Sequence, residues 1–562
     1  MNWPNHVFGL GGSGKELVFE LLATEWVRES MLDPASDPSG VTVTIIDTAE
    51  SEREEDMKRI RRIRSAIEET EDRIADDGSV PDGIRIESRT LTDMTRFEDP
   101  IDIAGTIARR RIASKHGMDP DDWWIDADQI SPNPDVDYGL SGKRSLAKAL
   151  YYKASAEDEN DTLATVIAPT ADAEVAVLCG LGGATSGILF DLARELTRSE
   201  PTASITLFAV LPNRESSRRE QANAHAALSE LEYLALCRKQ LFEDRILLPT
   251  DAVVRDAKRP ENRFLGDALD EAFTYLFVSY YSRWRRTGTE HAGSRPSRGL
   301  FPDTPSYAPF VVGVPQILRY AVEETRDGRE PAVPEETESV PPKEDPSPYA
   351  TLIRPGSPSH PAEPRHPEES RRFDATDEDE RLRERLDALA DRACDATYSG
   401  LRDRRLTTAM SRDERPVVGT LVSPVADRIT ERIDFDDVIA GISGSAPVGP
   451  DDPSAFAVES GTDRETGFVA FVGGVLLDDL RLSNEYLESY ERSALAEGTD
   501  ASLRHALGLE EGYYVRRRRV GCLGNRDDRS FLDDPDDRIR ERVLTDRVET
   551  VELGRGGRSG SE

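Results

Sequence analysis

Two glycine-rich segments, Gly9 to Lys15 (GLGGSGK) and Gly180 to Gly187 (GLGGATSG), each stand between a short apolar run and a stretch with helical spacing. Before the first comes Val7-Phe8, and after it Leu17, Val18, Leu21, Leu22 and Trp26 recur on one helical face. Before the second comes Val175 to Cys179, and after it Ile188, Leu189, Leu192 and Leu196 do the same. A glycine turn that leads from a strand into a helix exposes backbone N–H groups at the positive end of the helix dipole, which makes it an anion site. The two segments therefore predict one sheet with two phosphate cradles. Val41 to Ile46, ending in Asp47, and Ile205 to Leu211, stopped by Pro212, add two more strands. Residues 50–76, 215–240 and 264–285 read as helices, and Ile84 to Ser88 as a further strand, so the pattern is that of a sheet wound with helices. The pair Trp123-Trp124 reads as packing.

The first segment alone admits three readings. Gly9, Gly11 and Gly14 satisfy G-x-G-x-x-G, and Asp47 at the end of the second strand supplies the acid that a dinucleotide fold places on a ribose. Gly9 to Lys15 also satisfies a Walker A loop up to its last position, where Glu16 replaces the Ser or Thr that would bind Mg²⁺. A tight turn holding no ligand is the third. The second segment narrows the choice, since a dinucleotide fold needs only one such loop at its switch point.

In that second loop Gly182, Gly183 and Thr185 resemble the tubulin/FtsZ signature, a glycine run followed by Thr and small residues, with Ala184 and Ser186 standing where glycines are usual before Gly187. The resemblance spans roughly residues 5–325. It implies a mostly parallel α/β nucleotide-binding domain with a long core helix, GTP or GDP as ligand, accompanying Mg²⁺, and head-to-tail self-association. Residues expected at the nucleotide are Gly11, Gly12, Ser13 and Gly14, with Asp47 as the acid of the dinucleotide reading, then Gly182, Gly183, Ala184, Thr185, Ser186 and Gly187. Glu215 and Arg219 have the family's spacing for the ribose, with Asn223 one turn on, although alone the first two would read as a surface ion pair. By the frame D-x-L-x-x-A, Asp267 matches the acid that receives guanine N1–H and N2–H, with Asp270 as substitute. In the family, acids after the core helix enter the neighbouring subunit's site and orient water. Here the stretch GLFPDTPSYAPF offers Asp303 alone, without the N-x-D-x-x-D arrangement. The chain looks more like the divergent tubulin-like proteins of prokaryotes than like FtsZ itself. Competing expectations are a nucleotide-binding scaffold that does not hydrolyse, and an NAD-dependent oxidoreductase.

The remaining chain divides by composition. Residues 1–286 form the nucleotide domain with its core helix, and 287–327 a following loop and helix. Residues 328–372 form a Pro/Glu-rich linker that cannot bury enough apolar surface to order itself. A second α/β domain at 373–545 opens with a charged helix at 377–405 and has strands at Val417 to Val422 and Phe468 to Leu477; 546–562 is a disordered tail. The 108 Asp+Glu stand against 72 Lys+Arg, of which nine are Lys, giving a net charge of -36. Acid excess with Lys replaced by Arg suits a concentrated-salt interior, hence a halophilic, haloarchaeal-type source. The same excess disfavours nucleic acid as a partner, Arg516 to Arg519 being one local basic run. Four scattered cysteines, Cys179, Cys237, Cys394 and Cys522, suggest neither a metal site nor disulfides. With no signal peptide and no apolar run long enough for a bilayer, a cytoplasmic protein is expected.

Overall fold

The computed structural model of this chain describes residues 3–33, 40–48, 53–75, 83–91, 101–116, 119–125, 140, 142–156, 173–236, 241–249, 273–281, 310–318, 417–423, 455–459, 466–475 and 483–492. Asp267, Asp270, Asp303, the 328–372 linker, the 377–405 helix, Arg516 to Arg519 and the tail lie outside these residues.

The chain starts with β1 (His6–Leu10), α1 (Gly11–Ala23), α2 (Glu25–Leu32), β2 (Gly40–Asp47), α3 (Arg53–Ala75) and β3 (Gly83–Thr90). After α4 (Ile101–Ala104), α5 (Thr106–His116) and α6 (Arg144–Ala156) come β4 (Glu174–Gly180), α7 (Leu189–Ser199), β5 (Ser204–Leu211), α8 (Arg218–Leu236) and β6 (Asp244–Pro249). A buried helix, α9, covers 273–281. It is followed by β7 (Phe310–Leu318), β8 (Val417–Ser423), β9 (Ala455–Glu459), β10 (Thr466–Val475) and α10 (Ser483–Glu491).

The ten described strands share one sheet in the order β3-β2-β1-β4-β5-β6-β7-β10-β8-β9. Every neighbouring pair from β3 across to β7 is parallel. This is the mostly parallel α/β fold with interleaved helices that the two strand–glycine–helix junctions predict. The order reverses between β1 and β4, where a doubly wound sheet opens a crevice at the carboxyl ends of its strands. Right-handed crossovers put the helices that lead away from β1 and from β4 on opposite faces.

Strand alternation sorts the cores. Val7, Val41, Val43, Ile45, Leu178, Phe208, Val210 and Ile246 bury against α1, α2, α3 and α9, together with Val469 and Phe471 of β10. Phe208 sits among aromatic residues of α9, with ring centroids 5.1 Å from Phe277 and 5.5 Å from Tyr280. Tyr280 also donates to Asp244 Oδ2 at 2.8 Å, fastening α9 to the start of β6. Trp123 and Trp124 are packing residues, their indole N–H groups donating to the carbonyls of Ile103 and Ser145 at 3.0 Å.

Residues 310–318 fall in the stretch where the composition predicts a loop and helix, and they form β7, as the β-branched run there favours. Strands β8 and β10, which follow residues 328–372 in the sequence, extend the same sheet. β10 runs antiparallel between β7 and β8, with a bulge at Val472/Val475 where two glycines intervene.

Candidate functional site

The loops after β1 and β4 stand side by side at the point where the strand order reverses, because those two strands pair directly, with Leu10 opposite Cys179. α1 starts immediately at Gly11, whose φ of +67° is a left-handed conformation that a side chain would strain. A methyl group on Gly11 would also lie 2.8 Å from the Thr185 hydroxyl oxygen, and one on Gly180 would lie 2.5 Å from Ser13 Oγ. The two loops are thus in contact, and small residues are what allow it. Gly14 packs so closely that an added methyl would collide with the Leu178 carbonyl oxygen.

One edge of this junction is open. A methyl group at Gly12 would meet no atom within 4 Å, and one at Gly183 would meet only the Gly180 carbonyl oxygen, at 3.7 Å. Gly12, Ser13 and Gly183 are exposed, while Gly182, Ala184, Thr185, Ser186 and Gly187 are buried. Ala184–Ile188 forms a 3₁₀ turn, N-capped by Gly183, that runs directly into α7. Neither the start of α1 nor that of the 3₁₀ turn has a side-chain cap. Two sets of helix-terminal N–H groups therefore meet around one gap lined by glycine, the arrangement that receives a phosphate.

The charged residues of the first loop are committed elsewhere. Lys15 is buried and pairs at 2.9 Å with both Asp47 at the end of β2 and Asp56 on α3. Glu16 receives two bonds from Arg59, at 2.7 and 2.5 Å, and the same guanidinium lies 4.3 Å over the Phe19 ring. A Walker A loop aims its lysine at phosphate; here that lysine holds α1, β2 and α3 together.

A third glycine turn adjoins the first two. Gly142, with φ +74°, precedes α6, and a methyl on it would lie 2.7 Å from Arg219 Cδ. Asn223 Nδ2 donates to the Gly142 carbonyl at 2.8 Å and to the Gly182 carbonyl at 2.9 Å, so its amide nitrogen ties the two loops to each other. Glu215 and Arg219 are exposed at this rim, and Glu215 precedes the first turn of α8, so the two do not share a helix face. α8 begins in a capping box that the sequence reading missed: Ser217 N donates to Glu220 Oε2 at 2.8 Å, and Glu220 N to Ser217 Oγ at 3.3 Å. The signal was the spacing Ser217-x-x-Glu220 ahead of an apolar run. The Gly142 turn was also legible, as GLSG before the amphipathic stretch that forms α6.

Behind the second loop lies a buried charge network. Arg144 pairs with Glu230, Lys148 with Asp191 at 2.9 Å, and Arg194 with Asp191 at 2.7 Å. Tyr152 donates to Asp191 Oδ1 at 3.0 Å. Burial would raise the Asp191 carboxyl, but Lys148 and Arg194 outweigh it and hold the group below its ordinary range. The Arg144 carbonyl fills the space a side chain on Gly187 would need, so this network sits directly against the end of the loop.

No protein-family model matches the chain, and no curated protein matches it. Among solved structures it is similar to CetZ2 of Haloferax volcanii, a GTPγS-bound protofilament, with 12% identity, a TM-score of 0.40, and coverage of 87% of this chain and 98% of that one. It is similar also to TubZ of Bacillus thuringiensis serovar israelensis, a GTPγS-form protofilament, with 12% identity, a TM-score of 0.38, and coverage of 88% and 93%. For FtsZ of M. jannaschii, as an empty dimer, the figures are 12%, 0.38, 84% and 89%. Among the described residues no helix is long and apolar enough to cross a membrane.

Proposed function

We propose that the protein binds a guanine nucleotide in the gap between its first two glycine loops and self-associates head to tail as a divergent member of the tubulin/FtsZ superfamily. The observation that carries this reading is the meeting of two uncapped, glycine-lined helix starts at the reversal point between β1 and β4. Gly11, Gly12, Ser13 and Gly14 form one wall of the cradle and Gly182 to Gly187 the other. Glu215 and Arg219, both exposed, are our candidates for contacting the sugar. Asn223 supports the loops through Gly142 and Gly182. Asp267 remains our choice for the guanine edge. Asp47 is left out of the ligand set because its carboxylate is taken by Lys15, which also deprives an NAD reading of its ribose acid.

GTP would supply its own leaving group; this chain supplies backbone dipoles at fixed positions, which contribute by preorganisation. Asp303 is our candidate for orienting water on a neighbouring protomer's nucleotide. Titration of the protein in molar KCl with labelled GTP, ATP and NAD tests the reading: GTP should bind most tightly, and tighter binding of NAD or ATP would overturn it. Turnover should rise with protein concentration and fall in Asp303→Ala. A mixture of Asp303→Ala with Thr185→Ala should regain part of it, since each supplies the half-site the other lacks.

A further inference from the structure

We infer that α10, a helix contributed from beyond the linker, sets the conformation of the loop between β5 and α8 and thereby the protein's grip on the nucleoside half of its ligand, with Gln221 and Ser489 as positioning residues. The inference rests on the nucleotide reading given above.

The loop, residues 212–217, lies beside the second glycine loop: Leu181 N donates to the Val210 carbonyl at 2.9 Å, and a methyl on Gly182 would touch Glu220 Cβ at 3.0 Å. Its inner turn is closed by Asn213, whose Oδ1 accepts from the backbone N–H groups of Glu215 and Ser216, both at 2.9 Å. Ser216 N also donates to the Asn213 carbonyl at 3.2 Å, which leaves the carbonyls of Arg214 and Ser216 to be satisfied from α8. Gln221 Nε2 donates toward the carbonyls of Asn213, Arg214 and Ser216 at 3.4, 3.2 and 3.2 Å.

A glutamine amide can serve three carbonyls only if its NH₂ faces them. Turned over, it would set its own oxygen against three acceptors. What fixes the orientation is Ser489 on α10, 268 residues along the chain, whose hydroxyl donates to Gln221 Oε1 at 2.7 Å in a buried contact. Tyr486, one helical turn earlier on α10, donates to the Pro212 carbonyl at the head of the same loop. Tyr490 lies with its ring 5.2 Å from that of His225, holding the two helices together. The buried face of α10 is therefore directed at one loop and at the residue that shapes it.

The test uses full-length protein in high salt and compares wild type, Ser489→Ala and Ser489→Thr, with GDP and inorganic pyrophosphate as separate probes. Hydrogen exchange is followed at the amides of residues 213–217. Loss of the orienting bond should weaken GDP by about ten-fold, as expected for one buried hydrogen bond acting through the loop. Pyrophosphate binding should stay unchanged, because the phosphate cradle does not touch Ser489. Exchange at 213–217 should quicken, and Thr should restore both. Equal weakening of GDP and pyrophosphate would make Ser489 a general stability residue and overturn the inference, as would no change in either. If Ser489→Ala does not fold, Tyr486→Phe carries the same comparison through the Pro212 contact. Wild type that binds no nucleotide removes the underlying reading and the nucleoside claim with it, while the exchange result still decides whether α10 sets the loop.

Discussion

Gly12 and Gly14 stand two residues apart at the start of α1 and face opposite surroundings. Gly12 borders empty space, so Gly12→Ala should leave the unliganded melting temperature equal or higher, by the ~0.5–1 kcal/mol that alanine gains in a helix. Its methyl would project into the cradle and should weaken nucleotide by about 1–3 kcal/mol, the usual penalty of overfilling a fitted space. Gly14→Ala should instead lower the unliganded melting temperature, through collision with the Leu178 carbonyl. Paired calorimetric melts and nucleotide titrations separate the two. His6 gives a second residue-level expectation. It is buried on β1, bonded to Thr44 Oγ1 at 2.9 Å and stacked on Phe8, and burial lowers its pKa to about 4. Between that value and the ordinary 6.5, the unfolded chain binds a proton that the folded chain refuses. Stability should therefore be full above pH 6.5 and decline as the pH falls toward 4, by roughly 3 kcal/mol in total at 1.36 kcal/mol per unit. Urea unfolding at pH 7 and pH 5 should show about 2 kcal/mol of this loss in wild type, at 1.36 kcal/mol per unit, and a smaller one in His6→Gln.

At the scale of elements, Lys15 joins α1, β2 and α3 through Asp47 and Asp56. Lys15→Met should destabilise by about 3–5 kcal/mol, because it strands two buried carboxylates, and adding Asp47→Asn and Asp56→Asn should recover most of the loss. A phosphate-binding lysine would behave differently: its removal would abolish nucleotide binding, and the two amides would not restore it. Thermal melts and nucleotide titration of the single and triple variants distinguish the two. This pairing marks where the sequence stopped being legible. β1, β2, β4 and β5 were readable because each is a short apolar run ending at a glycine, acid or proline. The two glycine loops were readable because glycine is needed locally. The role of Lys15 was not legible, because its partner Asp56 is 41 residues away on a helix whose position the sequence does not specify. β6 and β9 are only six and five residues long, and their pairing is decided by neighbours distant in the chain. The same holds for α10, whose one buried face answers to α8 and to nothing nearby in sequence.

For the whole molecule, the net charge of -36 makes the folded state self-repelling whenever it is poorly screened. Dilution from about 1 M to about 0.01 M salt lengthens the screening distance from about 3 Å to about 30 Å. Circular dichroism melts should accordingly fall steeply across that range, and an unchanged melting temperature would show that the charge is tolerated without salt. The single sheet has a different bearing, on how the chain is made. β7 has its inner edge on β6, but its outer edge waits for β10, which the ribosome produces ~150 residues later, roughly 7–30 s at ordinary elongation rates. During that interval an apolar, β-branched edge has no partner and offers itself to any other strand nearby, including the same edge on a neighbouring nascent chain. The Pro- and Glu-rich stretch at 328–372 is thus synthesised while the edge is open, and it supplies about a third of that interval.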